Sequence, residues 1–399
     1  MSRAPIVFLS SIDWSDSWQR HQIFASTFAR RGHEVYFVEN TGLRDIRLSD
    51  AGRILRRARR IAAPAQPARK RVRVIPPFVL PPTNRLYRWL NARLLLPRLA
   101  RQLWTAGLRE APVVFAYTPT ATTLGLLDLL APRGVIYDCA SNFRQHPQAP
   151  ADVRALEMRL LGRSEAVVTD SDFLRKQKER EHPRVHQIHQ GVPREFFISS
   201  EPRAAYRTAC YFGTIHDGLD YAAIRELAES GVEVTLLGAV KHVPPPLPPN
   251  VRIAPPVPAE DLPVALAGFD MLLLPYRLTE FNQAVVPAKI FECLATGKPI
   301  ITCALPSLKR LSDALHVARA PGDWARLAAG LSASETEEMR RRRRSYAKRH
   351  LREDELERLL ALLAPVLARP ARPSPPPPSL RARASRLLTS PVAPALAAF

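Results

Sequence analysis

Short apolar runs along this chain alternate with segments in which apolar residues recur every three or four positions. The runs are built from Val, Ile, Leu, Phe and Tyr, which favour strands. In the first half we predict strands at 6–9, 34–38, 72–75, 113–117, 135–138 and 166–169. In the second half we predict strands at 209–212, 233–237, 251–253, 270–274 and 299–302. This alternation indicates βα units and a parallel sheet.

The segments between these strands carry helical periodicity. Residues 19–31 place Ile23, Phe24 and Phe28 on one side of a predicted helix, and Gly32 ends it. Further helices are predicted at 221–229, 260–267, 288–296 and about 335–367.

A chain of 399 residues is long enough for two domains. We predict an α/β protein with two doubly wound, Rossmann-like domains, an N-terminal one at 1–197 and a C-terminal one at 198–334, joined at 189–197. A helical segment at 335–368 and a disordered, Pro- and Arg-rich tail at 369–399 follow. Ligands of such folds bind beyond the carboxyl ends of the strands, so we expect the site in the cleft between the domains.

Composition excludes several classes of protein. The chain is 46% hydrophobic and 24% charged, which is typical of a folded globular protein. Its four cysteines show neither close pairing nor the spacing of metal ligands. Because we find no secretory leader and no apolar window of membrane-spanning length, we expect a cytoplasmic protein.

The formal charge of +21 is unevenly distributed. Residues 51–109 contain fourteen Arg, one Lys and no acid, and residues 366–399 contain five Arg and no acid. The rest of the chain is therefore nearly neutral. Basic residues among Trp89, Leu94 and Trp104 favour a peripheral surface on anionic lipid, although a buried scaffold helix explains the leucines equally well. Nucleic acid is the competing partner, but no nucleic-acid-binding motif accompanies the charge.

The segment 287–299 carries the most specific chemistry. Pro287 is placed to start a helix, and Lys289 and Glu292 project from one side of its first turns. A helix N-terminus with an added lysine suits a diphosphate, and a carboxylate can accept hydrogen bonds from two ribose hydroxyls. These residues predict a nucleotide-diphosphate site. The alternative is an ordinary exposed ion pair on an amphipathic helix.

This segment resembles the P-x-K-x-x-E-x-x-x-x-G-x-P signature of bacterial GT-B glycosyltransferases, close to family four and to the branch with teichuronic-acid transferases and the xanthan glucuronosyltransferase. The resemblance implies that Glu292 binds the ribose of a nucleotide-sugar donor and Lys289 its phosphates. Three further stretches are similar in the same order: the strand and glycine loop through Gly213 and Thr214, the joint at 189–192, and residues 18–35 of the acceptor domain.

The chain also departs from this pattern. Ala284 stands where many family-four enzymes have a sugar-facing Glu, and we predict that Asn282 and Gln283 contact the donor sugar instead. The Arg and Lys that often grip the diphosphate are missing after Gly213. We therefore predict that Lys289 does more of this work, with Tyr276 and Arg277 as further donor-binding candidates. The stereochemistry of transfer stays open.

An inverting reaction needs a base for the acceptor hydroxyl. Asp138 at a strand end is our first candidate, with Asp13 in the first loop and His216 after the glycine loop as rivals; a helix cap or turn is the alternative for Asp138. No metal and no cofactor is expected. The single Asp-x-Asp triplet, at 170–172, lies in the N-terminal half and reads as a helix cap.

The predicted function is thus transfer of a sugar from a nucleoside-diphosphate donor to a glycan or lipid-linked acceptor in cell-surface polysaccharide synthesis. Two alternatives remain: a nucleotide-sugar 2-epimerase of the same fold, which would turn over the donor without an acceptor, and a non-catalytic basic binding protein.

Overall fold

The computed structural model describes residues 3–16, 18–41, 67–69, 71–146, 149–198, 201, 203–279 and 286–375. Within them the strands are β1 (Ile6–Leu9), β2 (Val35–Val38), β3 (Pro67–Arg69), β4 (Val72–Ile75), β5 (Val113–Ala116), β6 (Gly134–Cys139), β7 (Ala166–Thr169), β8 (Val185–Gln187), β9 (Thr208–Phe212), β10 (Glu233–Leu237), β11 (Val251–Ala254), β12 (Met271–Leu274), β13 (Ile300–Cys303) and β14 (His316–Ala318). The α-helices are α1 (Arg20–Arg30), α2 (Arg85–Leu90), α3 (Leu96–Thr105), α4 (Ala121–Leu130), α5 (Val153–Leu161), α6 (Asp172–Glu179), α7 (Tyr221–Glu229), α8 (Leu262–Ala267), α9 (Ile290–Thr296), α10 (Asp323–Ser334), α11 (Glu337–Lys348) and α12 (Arg352–Leu367).

The first sheet has the order β3-β4-β2-β1-β5-β6-β7-β8 and is parallel except for the short edge strand β3. Ile6 aligns with Val35 on one side and with Val113 on the other, so β1 lies at the centre. All four residues of β1 are buried because helices cover both faces. The strand order reverses beside β1, which places a crevice beyond the carboxyl ends of β1 and β5.

The second sheet is wholly parallel, with the order β11-β10-β9-β12-β13-β14. Its order reverses between β9 and β12, whose carboxyl ends lead into Gly213 and Pro275. The predicted arrangement of two doubly wound domains is confirmed. The second crevice therefore lies at the glycine loop and at the loop after β12.

The C-terminal helices divide between the two domains. Ala347 of α11 is buried in the core of the C-terminal domain. Leu356, Leu359 and Leu363 of α12 are buried with β1 in the core of the N-terminal domain. The segment 335–367 is helical as predicted, but it forms two helices: the chain breaks after α11 and crosses back, so each helix can bury its apolar side in a different core.

The point where the chain crosses between the two domains explains why residue 191 of the joint is a glycine. Val192 N–H donates to the carbonyl of His350 at 2.9 Å, and Arg352 N–H donates to the carbonyl of Val192 at 3.0 Å. Gly191 has a φ of +69°, and a Cβ there would lie 2.3 Å from Cα of Arg352. Glycine is required because the two passes of backbone between the domains touch here.

Three strands and part of the tail differ from expectation. The sequence did not indicate β3, β8 and β14, each of which is only three residues long. The tail was predicted to be disordered from residue 369, but Ala111 N–H donates to the carbonyl of Arg372 and Ser374 N–H to that of Arg109. Backbone pairing thus orders 369–375 against the N-terminal domain, and 376–399 lie outside the described residues.

Candidate active site

A cleft of about 1030 Å³ lies between the two domains, at the carboxyl ends of both sheets. The N-terminal domain contributes Trp18, Gln19 and Arg30 to its wall. The predicted site residues on its wall are Gly213, Thr214, His216, Tyr276, Pro287, Lys289 and Glu292. The fold therefore brings together most of the predicted donor-binding residues, which come from three separate segments of the chain.

Lys289 occupies the crevice of the second sheet. Its side chain passes over Gly213, and its amine lies 5.2 Å from the centre of the Tyr211 ring and 3.4 Å from the Tyr276 hydroxyl. Gly213 has a φ of +124°, and a Cβ there would lie 2.0 Å from Cε of Lys289. Glycine is needed at this strand end both for its backbone conformation and to leave room for the lysine.

A second glycine, missed in the sequence, completes the floor. Gly238 follows β10 as Gly213 follows β9, and its own Cβ would lie 1.9 Å from the carbonyl oxygen of Gly213. Gly213 N–H donates to Leu237 and Gly238 N–H donates to Ala254. The two loops pack backbone against backbone. The signal in the sequence was the repeated pattern of a strand followed at once by glycine.

The helix that carries the motif starts later than predicted. The first helical residue of α9 is Ile290, whereas 288–289 form a turn in which Ile290 N–H donates to Pro287. Lys289 is thus the N-cap, and Cys293 N–H donates to its carbonyl. Because α9 has only seven residues, the lysine charge supplies more of the positive potential than the helix dipole.

Glu292 lies deeper, on the first turn of α9. Its side chain is 15% exposed, and Oε1 lies 3.9 Å from Nη2 of Arg352. Burial raises the pKa of Glu292, while Arg352 and Lys289 oppose that shift. Arg352 was not predicted, because it reaches the cleft only through the crossover into α12. Gln190 also reaches this corner and donates to the carbonyl of Ala288 at 2.8 Å.

His216 lines the cleft as a neutral hydrogen-bond donor. The backbone N–H of Gly218 donates to Nδ1 at 2.9 Å, so the ring proton of a neutral imidazole is on Nε2. Burial lowers the pKa of His216, and Lys289 and Lys241 lower it further. An imidazole in this tautomer donates from Nε2 and does not accept a proton there, which argues against His216 as the base.

Asp138 does not line the cleft. It is fully buried, its Oδ2 accepts from Nε of Arg20 at 3.0 Å, and its Oδ1 lies 2.8 Å from Nη2 of the same guanidinium. Arg20 also donates to the carbonyl of Ile188. Burial raises the pKa of Asp138, and Arg20 opposes the shift. Both carboxylate oxygens face Arg20, so Asp138 ties α1 to β6 and is not presented to an acceptor.

The other predicted residues are placed as follows. Asp13 is half-buried in the loop after β1 and is not part of the cleft wall. Arg277 is also not part of the wall, and its backbone N–H donates to the carbonyl of Gly218. Asn282 and Gln283 lie outside the described residues, as does Ala284.

Asp170, the first residue of the Asp-x-Asp triplet, is half-buried. It follows β7, and burial raises its pKa to about 7, a shift that Arg20 reduces and Asp138 increases. Ser171, next to it, caps α6 by accepting from Leu174 N–H, as the triplet suggested. Across the described residues, no group of three His, Cys, Asp or Glu side chains is arranged to hold a metal ion.

The sequence is similar to one curated bacterial protein. It is 28% identical over 212 residues to a protein of Bacillus subtilis (strain 168) whose assignment as the teichuronic acid biosynthesis glycosyltransferase TuaH is itself provisional. The match covers 44% of this chain and 52% of that protein, about half the length of the relative. No family model matches the sequence.

Solved structures share the fold. Sucrose-phosphate synthase from Thermosynechococcus elongatus superimposes with a TM-score of 0.67 at 13% identity, covering 92% of this chain and 100% of that one. Anabaena HepE in complex with UDP-glucose gives 0.62 at 13% identity, covering 91% and 100%. WaaG, a glycosyltransferase of lipopolysaccharide biosynthesis, gives 0.56 at 15% identity, covering 90% and 99%. The chain therefore has the GT-B fold that the resemblance of its motifs implied.

Proposed function

We propose that this chain is a glycosyltransferase that moves a sugar from a nucleoside-diphosphate donor to a glycan or lipid-linked acceptor in cell-surface polysaccharide synthesis. The observation that carries the proposal is the amine of Lys289 held over Gly213 at the crevice of the second sheet. A cation beside a glycine floor is the arrangement that a diphosphate needs. The relative named for teichuronic acid biosynthesis and the complex of HepE with UDP-glucose support the same reaction class.

The donor is oriented by the residues around this cation. Its diphosphate lies at Lys289 and Gly213, and its ribose hydroxyls donate to Glu292, whose carboxylate is held by Arg352. The nucleobase of the donor lies along the apolar part of the wall, which is formed by Leu237, Ala239, Pro256 and Val257. The sugar then points past His216 toward the N-terminal domain.

In the reaction the acceptor oxygen forms a bond to C1 of the sugar while the bond from C1 to the diphosphate breaks. Lys289 stabilises the negative charge that develops on the departing phosphate. The Nε2–H of His216 donates a hydrogen bond to an oxygen atom of the nucleotide sugar. In an inverting transfer the acceptor proton passes to a base, for which Asp13 is our candidate because its loop follows β1 at the crevice of the first sheet, although its side chain is not part of the cleft wall.

Calorimetric titration tests the site. Wild type is expected to bind a ribonucleoside diphosphate more tightly than its 2′-deoxy analogue, since Glu292 accepts from both ribose hydroxyls. Glu292→Ala is expected to weaken the ribonucleotide about tenfold and to remove the difference between the two ligands. A panel with uridine, guanosine, cytidine and adenosine diphosphates covers the unknown nucleobase.

The matched control is Glu226→Ala, since Glu226 is an acid of the same domain that caps the backbone at Gly322 and Ala325, far from α9. If no diphosphate binds to wild type, the proposed function fails. If Glu292→Ala keeps the preference for the ribonucleotide, the assignment of Glu292 fails.

We further propose that the enzyme works in the cytoplasm at the inner face of the membrane. Helix α2 has no buried residue although it contains Leu86, Tyr87, Trp89 and Leu90, and Leu86 is 54% exposed. Arg85 and Arg98 are exposed nearby.

The leucines of α3 differ, because Leu96, Leu99 and Leu103 are buried in the core. Helix α2 thus presents apolar and basic side chains to the outside, which suits anionic lipid. None of the described helices is long and apolar enough to cross a bilayer.

Co-sedimentation with vesicles measures this association. Binding is expected to phosphatidylcholine vesicles that contain phosphatidylglycerol, to fall with added salt, and to decrease at least about fivefold in Arg85→Gln/Leu86→Ser. Phe173→Ser removes an apolar side chain that is 51% exposed on α6 and is the control. Equal binding of both variants, or none by wild type, would rule out α2 as the membrane surface.

A further inference from the structure

Among the described residues that precede the joint at 189–197, Trp18 is the aromatic side chain that lines the cleft. Trp18 lines the wall and is 36% exposed, although an indole is among the side chains with most to gain from burial. It stands just before α1, in the loop that follows β1. No residue of the proposed donor site lies on this loop.

The loop holds the indole in a defined position. Trp14 meets Trp18 edge-on at 5.5 Å and Phe37 edge-on at 4.9 Å, so three aromatic rings lead from the core to the cleft. Trp14 N–H donates to Glu39 at 3.1 Å, and its carbonyl accepts from Gln22 at 3.4 Å. Gln22 also caps α1 by accepting from Gln19 N–H. The exposed indole is therefore preorganised.

An ion pair shows which part of the donor domain the loop faces. Asp16 lies 3.0 Å from Nζ of Lys241, which follows β10 in the other domain and lines the cleft. Lys241 N–H donates to the carbonyl of Ile215, next to His216. Lys241 therefore joins the loop of Trp18 to the glycine loop that carries His216.

We propose that Trp18 is a stacking platform for a pyranose ring of the acceptor. The faces of a pyranose carry C–H groups that pack on an aromatic ring while the hydroxyls at its rim remain free for hydrogen bonds, as an amphipathic ligand requires. This assignment rests on the proposed glycosyl transfer and adds the class of acceptor, a saccharide. A nucleobase would also stack on an indole, but in that case Trp18→Ala would weaken nucleoside-diphosphate binding, which a saccharide platform does not predict.

Saturation-transfer NMR tests the assignment with three probes in the presence of bound nucleoside diphosphate: methyl glycosides of glucose, N-acetylglucosamine and glucuronic acid. Wild type is expected to transfer saturation mainly to the ring protons of one face of at least one probe. Trp18→Ala is expected to reduce that transfer at least about fivefold, and Trp18→Phe, which keeps a ring, to retain most of it. Affinity for the nucleoside diphosphate is expected to be unchanged in both variants.

Trp104→Ala is the matched control, because Trp104 stacks on Arg109 outside the cleft. Circular dichroism and the melting temperature confirm that each variant is folded. No transfer to any probe in wild type, equal transfer in Trp18→Ala, or loss of nucleotide affinity in Trp18→Ala would each overturn the platform. Failure of wild type to bind any nucleoside diphosphate instead overturns the proposed function.

Discussion

Gly213→Ala is expected to weaken nucleoside-diphosphate binding about 100-fold, which corresponds to about 2.7 kcal/mol. The added Cβ would lie 2.0 Å from Cε and 2.4 Å from Nζ of Lys289. The lysine must therefore leave the strand end, and the phosphates lose a charge-assisted contact in a partly enclosed site. Lys289→Met is expected to cause a similar loss.

Gly231→Ala is the control that separates the displacement of Lys289 from the effect of backbone strain. Gly231 also has a positive φ, +91°, but a Cβ there meets nothing within 4 Å. This variant is expected to lose about 1 kcal/mol of stability and no nucleotide affinity.

A double-mutant cycle isolates the contact between Gly213 and Lys289. Adding Gly213→Ala to Lys289→Met is expected to cause little further loss of affinity in calorimetry, because the amine that the methyl would move away from the phosphates is already absent. Affinity of Gly213→Ala within about threefold of wild type would show that Lys289 does not hold the phosphates.

Asp138→Asn is expected to destabilise the protein by about 3–5 kcal/mol. The substitution leaves the guanidinium of Arg20 buried without its counter-charge, since Arg20 is 5% exposed and Asp138 is fully buried. Arg20→Met leaves the Asp138 carboxylate buried without its counter-charge and is expected to reduce the stability by a similar amount. The double variant Arg20→Met/Asp138→Leu is expected to be more stable than the sum of the two losses predicts, because it removes both charges.

Urea unfolding at neutral pH measures these differences. Asp128→Asn is the control, because Asp128 pairs with Arg163 at the surface, where its side chain is 65% exposed, and its loss is expected to cost less than about 1 kcal/mol. A stable but inactive Asp138→Asn would contradict the structural role and would return Asp138 to consideration as the base.

The strands and the glycine loop were predictable because they depend on local sequence. The apolar run Ile6–Leu9 was located to the residue, since a strand buried on both faces needs a continuous apolar sequence. Gly213 was predicted from its place after a strand. The short edge strand Val185–Gln187 was missed because it is only half-buried and has no such run.

The helices at the domain crossing were less predictable. Helical periodicity continues through residues 335–367, but a pattern of that kind does not show which core each turn packs against. Only the pairing of Val192 with Leu351 reveals that the chain changes domains at this point. Arg352 reaches Glu292 for the same reason.

The roles of Asp138 and His216 depended on three-dimensional contacts. Asp138 looked available at a strand end, yet Arg20, 118 positions earlier, occupies both of its oxygens. The tautomer of His216 depends on one backbone N–H, that of Gly218. Neither contact leaves a spacing signal in the sequence.

By itself, the sequence determined that this protein has two doubly wound domains and that Lys289 and Glu292 belong to one motif, because periodicity and local spacing carry that information. Tertiary structure alone decided that Lys289 rests on Gly213, that Asp138 is turned to Arg20, and that Trp18 faces the cleft. These features join residues that are far apart along the chain. Their geometry follows from how the two sheets and the crossing helix pack, which local sequence does not encode.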